Sequence, residues 1–303
     1  MVSMPENFEI IFESFAGSHL YGTNTPESDV DIRGVFIPNL SYFTGFLNYT
    51  GQYEDKQNDI VYFELRKFFK LCLDCNPNII ELLFVPEEKW IKVNSVWKRI
   101  IENKHLFISK KARWTFSGYA FSQLKRIKNH RAWLLNPPIK PPERSDFGLP
   151  ENRKLVTDDQ IGAFNVYLRD CLEDIVDMHP LRSQIMEMKE SHDFIGLIQI
   201  KKELSEEAMH SMKVLTGLSD NIIEAVEREK RYKNAMEYYK SYETWKKNRN
   251  PKRAVLEAKY RYDCKHAYSL VRLISEGHEI LTTGNITFPR PDNELLLHIK
   301  NGG

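Results

Sequence analysis

Between residues 8 and 37 the chain runs from a strand-like octapeptide, FEIIFESF, through GSHLYGTNTPES into a second apolar run, VDIRGVFI. No other stretch restricts the fold as much. Gly, Asn, Pro and Asp are poor in the interior of a helix or a strand, so the middle segment must be a connection between two short β runs. Asp29 and Asp31 stand at i and i+2 at the head of the second run, which puts both carboxylates on one face. Two carboxylates held close repel, and a hard divalent cation such as Mg²⁺, which prefers oxygen ligands and leaves positions for substrate phosphates, relieves the repulsion. Gly17 and Ser18, where the first strand ends, offer a tight turn and a hydroxyl, a geometry that lets phosphate oxygens approach main-chain N–H groups. Arg33 falls on the carboxylate face by parity and either pairs with an aspartate or reaches a phosphate. The plain alternative is a turn before a polar strand edge, which leaves the Gly-Ser pair and the aspartate spacing unexplained.

Beyond this stretch, DIVYF (59–63) predicts a third strand, and ELRKFFKLCLDC and NPNIIELLF predict helices, the second with Pro77 at its start. Cys72 and Cys75 form a CxxC, but no second pair exists at metal-binding spacing, so both read as core residues. After Trp97 strand signals thin out. Amphipathic helical runs are expected near 108–130, 158–176, 192–216, 218–248 and 252–281, with a proline-rich connection at 136–152. The expectation is therefore an α+β domain over 1–97, with a small mixed sheet, followed by a mostly α-helical domain over 98–303.

The net charge of +1 conceals strong segregation. Residues 1–97 carry fourteen acidic and seven basic side chains, whereas 98–131 carry ten basic ones against Glu102 alone, and 228–261 carry twelve against four. A polyanionic partner suits such a chain. In the run 110–133, Lys110, Lys111, Arg113, Lys125, Arg126, Lys128 and Arg131 interleave with Trp114, Phe116, Tyr119 and Phe121. That mixture suits backbone contact and base stacking on single-stranded nucleic acid; the competing reading is an amphipathic helix with a solvated face. The sequence has no apolar run long enough to span a membrane, no secretory signal pattern at Met1 and only four scattered cysteines, which predicts a protein of the cytoplasm.

The order glycine-serine, connection, Asp-x-Asp, strand resembles the nucleotidyltransferases of the DNA polymerase β superfamily. The fuller pattern GSHLYGTNTPESDVDIRGV, with DIVYFELRKFFKLCLDCNPNIIELLF, FSGYAFSQLKRIKNHR and YDCKHAYSLVRLISEGHEIL, is similar to the RNA-ligase-associated polymerase group, which includes bacteriophage members. The resemblance implies an α/β-type nucleotidyltransferase core at 1–97 and a helical domain that supplies the other cleft wall and the acceptor surface. It implies that Asp29 and Asp31 bridge two Mg²⁺ or Mn²⁺ ions, one holding an NTP and one lowering the pKa of an acceptor hydroxyl that attacks the α-phosphorus. A third carboxylate on a neighbouring strand completes such a site: Asp59 is the choice, Glu64 the alternative. On a helix from about 252, Arg261, Lys265 and Arg272 fall as one stripe, which periodicity alone reads as a solvated face; the resemblance around DCKHAYSL points instead to Lys265 and Arg272 as nucleotide contacts. An RNA end is the favoured acceptor, and a phage-encoded member would work in the host cytoplasm. Two alternatives stay open: an adenylyltransferase acting on a protein or small-molecule hydroxyl, and a non-catalytic RNA-binding protein on a polymerase-like scaffold.

Overall fold

The computed structural model describes residues 8–44, 51–178, 183, 204–211, 213–214 and 219–302. Strands β1 (Phe8–Phe15), β2 (Ile32–Pro38), β3 (Gln52–Asp55), β4 (Ile60–Glu64) and β5 (Trp90–Val93) form one mixed sheet in the order β3-β4-β2-β1-β5. Only β2 and β4 run parallel. The three expected strands are present within two residues of their predicted limits. β3 and β5, four residues each, carry mostly polar or exposed side chains and gave no alternation to detect.

Helix α1 (Gly17–Tyr21) follows β1 directly, and α2 (Ser41–Thr44) follows β2. Glu64 ends β4 and caps α3 (Leu65–Leu73) by accepting from the Lys67 N–H at 3.0 Å. Helices α4 (Pro77–Ile80) and α5 (Ser95–Glu102) complete this layer. Phe12, at the centre of the sheet, stacks on Trp97 of α5 with ring centres 3.9 Å apart. Cys72 and Cys75 lie buried in that core as free thiols.

The chain forms two compact units. One comprises residues 1–137 with 249–303, the other 138–248. The division therefore does not fall at residue 97, because two long helices join the sheet unit: α6 (Ala112–Leu135) and α10 (Cys264–Thr283) pack along each other and share its hydrophobic core. Gly277 is what permits the contact, since a Cβ there would stand 2.9 Å from the Phe116 Cβ. In the other unit, α7 (Asp158–Met178) and α8 (Asp220–Lys247) surround a core that includes Ile161, Phe164, Ile223 and Val226. There the buried Glu229 accepts two hydrogen bonds from Arg144, at 2.7 and 3.0 Å.

The single helix expected over 252–281 is two. α9 (Pro251–Tyr260) stops at Arg261, whose φ of 67° is left-handed, and α10 restarts with Asp263 as its cap, accepting from the His266 N–H at 3.0 Å. Arg261 thus leaves the basic stripe drawn on one helix. Helix α11 (Asn293–Lys300) packs on α10. The run expected at 192–216 lies mostly outside the described residues, with 204–211 helical. Among the described residues no helix is long and apolar enough to cross a membrane.

Candidate active site

The Gly-Ser turn and the Asp-x-Asp segment are built onto each other. The Ala16 N–H donates to the Asp31 carbonyl at 2.9 Å, closing the end of the β1–β2 ladder. Gly17 has φ of 56°, and a Cβ at this position would lie 2.1 Å from Asp31 Oδ2. Only glycine allows the carboxylate to lie against the turn. Asp31 is half-buried and Asp29 exposed, one residue apart ahead of β2.

Both aspartates line a cavity of about 590 Å³, within the range of small-molecule sites, together with Gly17, Ser18 and Ser28. The rest of the lining includes Arg253, Leu256 and Glu257 of α9, Lys265, Tyr268 and Arg272 of α10, and Lys300 of α11. Partial exclusion of water from the ammonium lowers the Lys265 pKa, and the Arg253 and Lys300 charges lower it further, with Asp31 opposing. Arg253, Lys265 and Lys300 thus share the cavity with Asp29 and Asp31. Lys300 also donates to the Thr23 carbonyl at 3.0 Å, fixing α11 to the loop after α1.

Of the residues expected at the site, Gly17, Ser18, Asp29, Asp31, Lys265 and Arg272 come together in this cavity. Arg33 does not line it. Its guanidinium donates to the carbonyls of Ile32 and Asp59 at 2.8 and 2.7 Å and lies 3.5 Å from Asp31, so of the two roles left open the carboxylate pairing is the one present. Asp59 sits in a turn with φ of 52°; its carbonyl accepts from the Ile32 N–H, and its side chain is exposed and outside the cavity lining. Glu64 is buried and occupied as the α3 cap and as partner of Arg66.

Arg272 differs from the expected solvated stripe. It is buried, bonded to Glu81 and to Glu276 at 2.8 Å, with its guanidinium 4.4 Å over the Tyr21 ring, while Tyr21 donates to Glu81 at 2.6 Å. One cation serves two carboxyl groups. Burial pushes Glu276 from an ordinary 4.5 up to about 8, with Arg272 opposing and Glu81 adding to the rise. The folded state therefore binds a proton that the unfolded chain releases near pH 4.5. The Glu276 contribution to stability is full below about pH 4.5 and is lost as pH rises through about 8. Urea unfolding at pH 5 and pH 8.5 is expected to show the protein weaker at the higher value, and Glu276→Gln is expected to flatten that difference; equal slopes in the two proteins would remove Glu276 as its source.

Sequence reasoning missed Arg253, Lys300 and Asp263 at this cavity. Nothing in their local pattern distinguishes them from other charged helix residues.

Residues 2–135 match the sequence model of the RNA repair pathway DNA polymerase beta family. Over this segment, under half of its length, the chain is similar to that family. The matched segment contains the Gly-Ser turn, both motif aspartates, the sheet and α6, and the family it resembles is a polymerase β-like nucleotidyltransferase family linked to RNA repair. An uncharacterized 38.9 kDa protein of Enterobacteria phage T4 is 32% identical over 144 residues, 43% of each chain. An uncharacterized protein of Methanocaldococcus jannaschii is 41% identical over 78 residues, 24% of this chain and 32% of that one. The match thus spans less than half the length of these curated relatives. No solved structure matches the chain.

Proposed function

We propose that the chain is a metal-dependent nucleotidyltransferase that moves an NMP from an NTP to a hydroxyl of an RNA end. The observation that carries this reading is the cavity, which Asp29 and Asp31 share with Arg253, Lys265 and Lys300. An anionic triphosphate in it meets the cations and needs a counter-ion at the aspartates. The aspartates offer only oxygen donors, which fits Mg²⁺ or Mn²⁺. When bound, such ions stabilise charge on the phosphates and lower the pKa of the attacking hydroxyl. The chain's own residues bind and align: Ser18 and the Gly17 turn receive phosphate oxygens, Arg253, Lys265 and Lys300 hold the triphosphate tail, and Arg272 shapes the floor from within its buried ion network. The acceptor oxygen bonds to the α-phosphorus as the bridging P–O bond breaks and pyrophosphate leaves.

Asp59 as third carboxylate is part of the proposal, supported by its backbone position beside Ile32, one residue after Asp31. Asp59→Asn is then expected to depress turnover far more than NTP binding. Glu64→Gln is expected to leave turnover nearly intact and to cost about 0.5–2 kcal/mol of stability through the weakened α3 cap. Turnover measured with saturating NTP, set beside a urea midpoint for each variant, separates the two; the reverse ranking would move the assignment to Glu64.

The RNA acceptor is supported by α6. Lys110, Lys111, Arg113, Lys125, Arg126, Lys128 and Arg131 are all exposed, as are Trp114 and Phe121, which a purely solvated face would not present. None of them lines the cavity. Lys111 also pairs with Asp74. Neutralising Lys125, Arg126 and Lys128 together is expected to shrink the slope of log affinity for single-stranded RNA against log salt by about 0.7 for each phosphate no longer neutralised, with NTP affinity unchanged. An unchanged slope would leave α6 as a solvated face.

The reaction itself is tested by supplying each labelled NTP with Mg²⁺ or Mn²⁺, RNA and a protein mixture. Label on RNA is expected. Label on protein alone would replace the acceptor, and no label on anything would overturn the enzymatic reading.

A further inference from the structure

The imidazoles of His130 on α6 and His266 on α10 converge on the carboxylate of Asp263, the α10 cap, with one ligating atom from each within 4.8 Å of the others. Asp263 is buried and the two rings nearly so. We propose that these three side chains hold a divalent transition-metal ion of the zinc class, separate from any ion at Asp29 and Asp31.

The three ligating atoms gather around one carboxylate oxygen. Asp263 Oδ1 accepts from the His266 N–H, and Oδ2 is hydrogen-bonded to His130 Nδ1 at 3.1 Å and stands 3.6 Å from His266 Nε2, so an ion bound here takes the place of the His130 hydrogen bond. A tetrahedral ion with bonds of about 2.0–2.1 Å separates its ligands by about 3.3 Å, and the two distances straddle that value. The longer contact is no hydrogen bond. His266 Nδ1 is 2.7 Å from the Gln123 amide oxygen, an acceptor, so Nδ1 carries the proton and the Nε2 lone pair points at a carboxylate oxygen. A lone pair facing an anion inside the protein is unfavourable until a cation stands between them. The ring fixed through its other nitrogen is also how metal-bound histidines are oriented.

The donor set selects the metal. Two imidazoles and one carboxylate suit Zn²⁺ and its neighbours, whereas Mg²⁺ takes oxygen alone. Cys264 is adjacent but lies 3.8 Å from the Tyr262 carbonyl, to which its thiol donates. Bound there, the ion ties α6 to the first turn of α10, next to Lys265 at the cavity.

The test is a calorimetric titration of the chelator-stripped full chain with Zn²⁺ in excess Mg²⁺. One tightly bound equivalent is expected, kept by Asp29→Asn/Asp31→Asn. Gln123→Ala is expected to bind about 10–100-fold more weakly, and His130→Gln and His266→Gln more weakly still. A measurement needing no variant is the long-range ¹H–¹⁵N spectrum of the histidine side chains, where Zn²⁺ should shift one nitrogen each of two histidines to metal-bound positions and leave the His266 Nδ1 proton in place. Zinc binding equal in the parent and in folded His266→Gln, no zinc uptake in the presence of Mg²⁺, or an unmoved histidine spectrum would each overturn the site.

Discussion

Asp29→Asn with Asp31→Asn is expected to abolish the proposed nucleotide transfer and to leave the fold standing. Both side chains lie at the cavity and neither belongs to the buried core, so removing their charges takes away cation ligands without opening a void. Metal-borne stabilisation of transition-state charge amounts to several kcal/mol, so the expected loss is about 10³-fold or more. Deleting two like charges one residue apart also relieves repulsion, and the thermal midpoint without metal should hold or rise. Transfer is measured with saturating Mg²⁺ and the midpoint by calorimetry. Activity within tenfold of the parent would sink the assignment of these residues, whereas a fallen midpoint would show that the substitution had damaged the fold instead. Gly17→Ala should approach the same loss by another route, because the added Cβ would occupy the position of the Asp31 carboxylate and meet a backbone that L-residues seldom adopt.

Arg272→Met is expected to unfold the protein or nearly so. It leaves Glu81 and Glu276 buried without their cation, and breaking a buried ion group by removing one partner costs about 3–5 kcal/mol, a large share of the stability of an ordinary domain. The loss should be greater than for Lys265→Met, which sits on the same helix and the same cavity but is exposed and forms no buried pair. Denaturant midpoints for the two variants decide the matter. If Arg272→Met keeps its midpoint while losing NTP affinity, the guanidinium is a substrate contact and the buried network contributes little. A partial rescue by Glu81→Gln in the Arg272→Met background would identify the orphaned carboxylate as the cause, since the double variant buries one charge fewer.

That Gly17, Ser18, Asp29 and Asp31 would come together was legible in the sequence because the logic of that half of the cavity is local. Gly17, Ser18, Asp29 and Asp31 lie within fifteen positions, the turn needs glycine, the aspartate spacing follows from the period of a strand, and β1 and β2 announce themselves by their apolar runs. What the sequence could not indicate is which distant charges join them. Arg253, Lys265 and Lys300 share a cavity with the aspartates because α10 packs along α6 with Gly277 against Phe116, and because the chain breaks at Arg261 and restarts at Asp263, turning one expected helix into two cavity-lining ones. The same packing made Arg272 a buried partner of Glu81, 191 positions away, where helical periodicity alone suggested a solvated stripe. Periodicity reports which face of an element is apolar, and residue spacing reports what two neighbours can do together. Neither carries information about which elements meet. That is decided by the fit of side chains across a common core, and so the aspartates were readable from the sequence while the cations sharing their cavity, and the histidines around Asp263, were decided by tertiary structure alone.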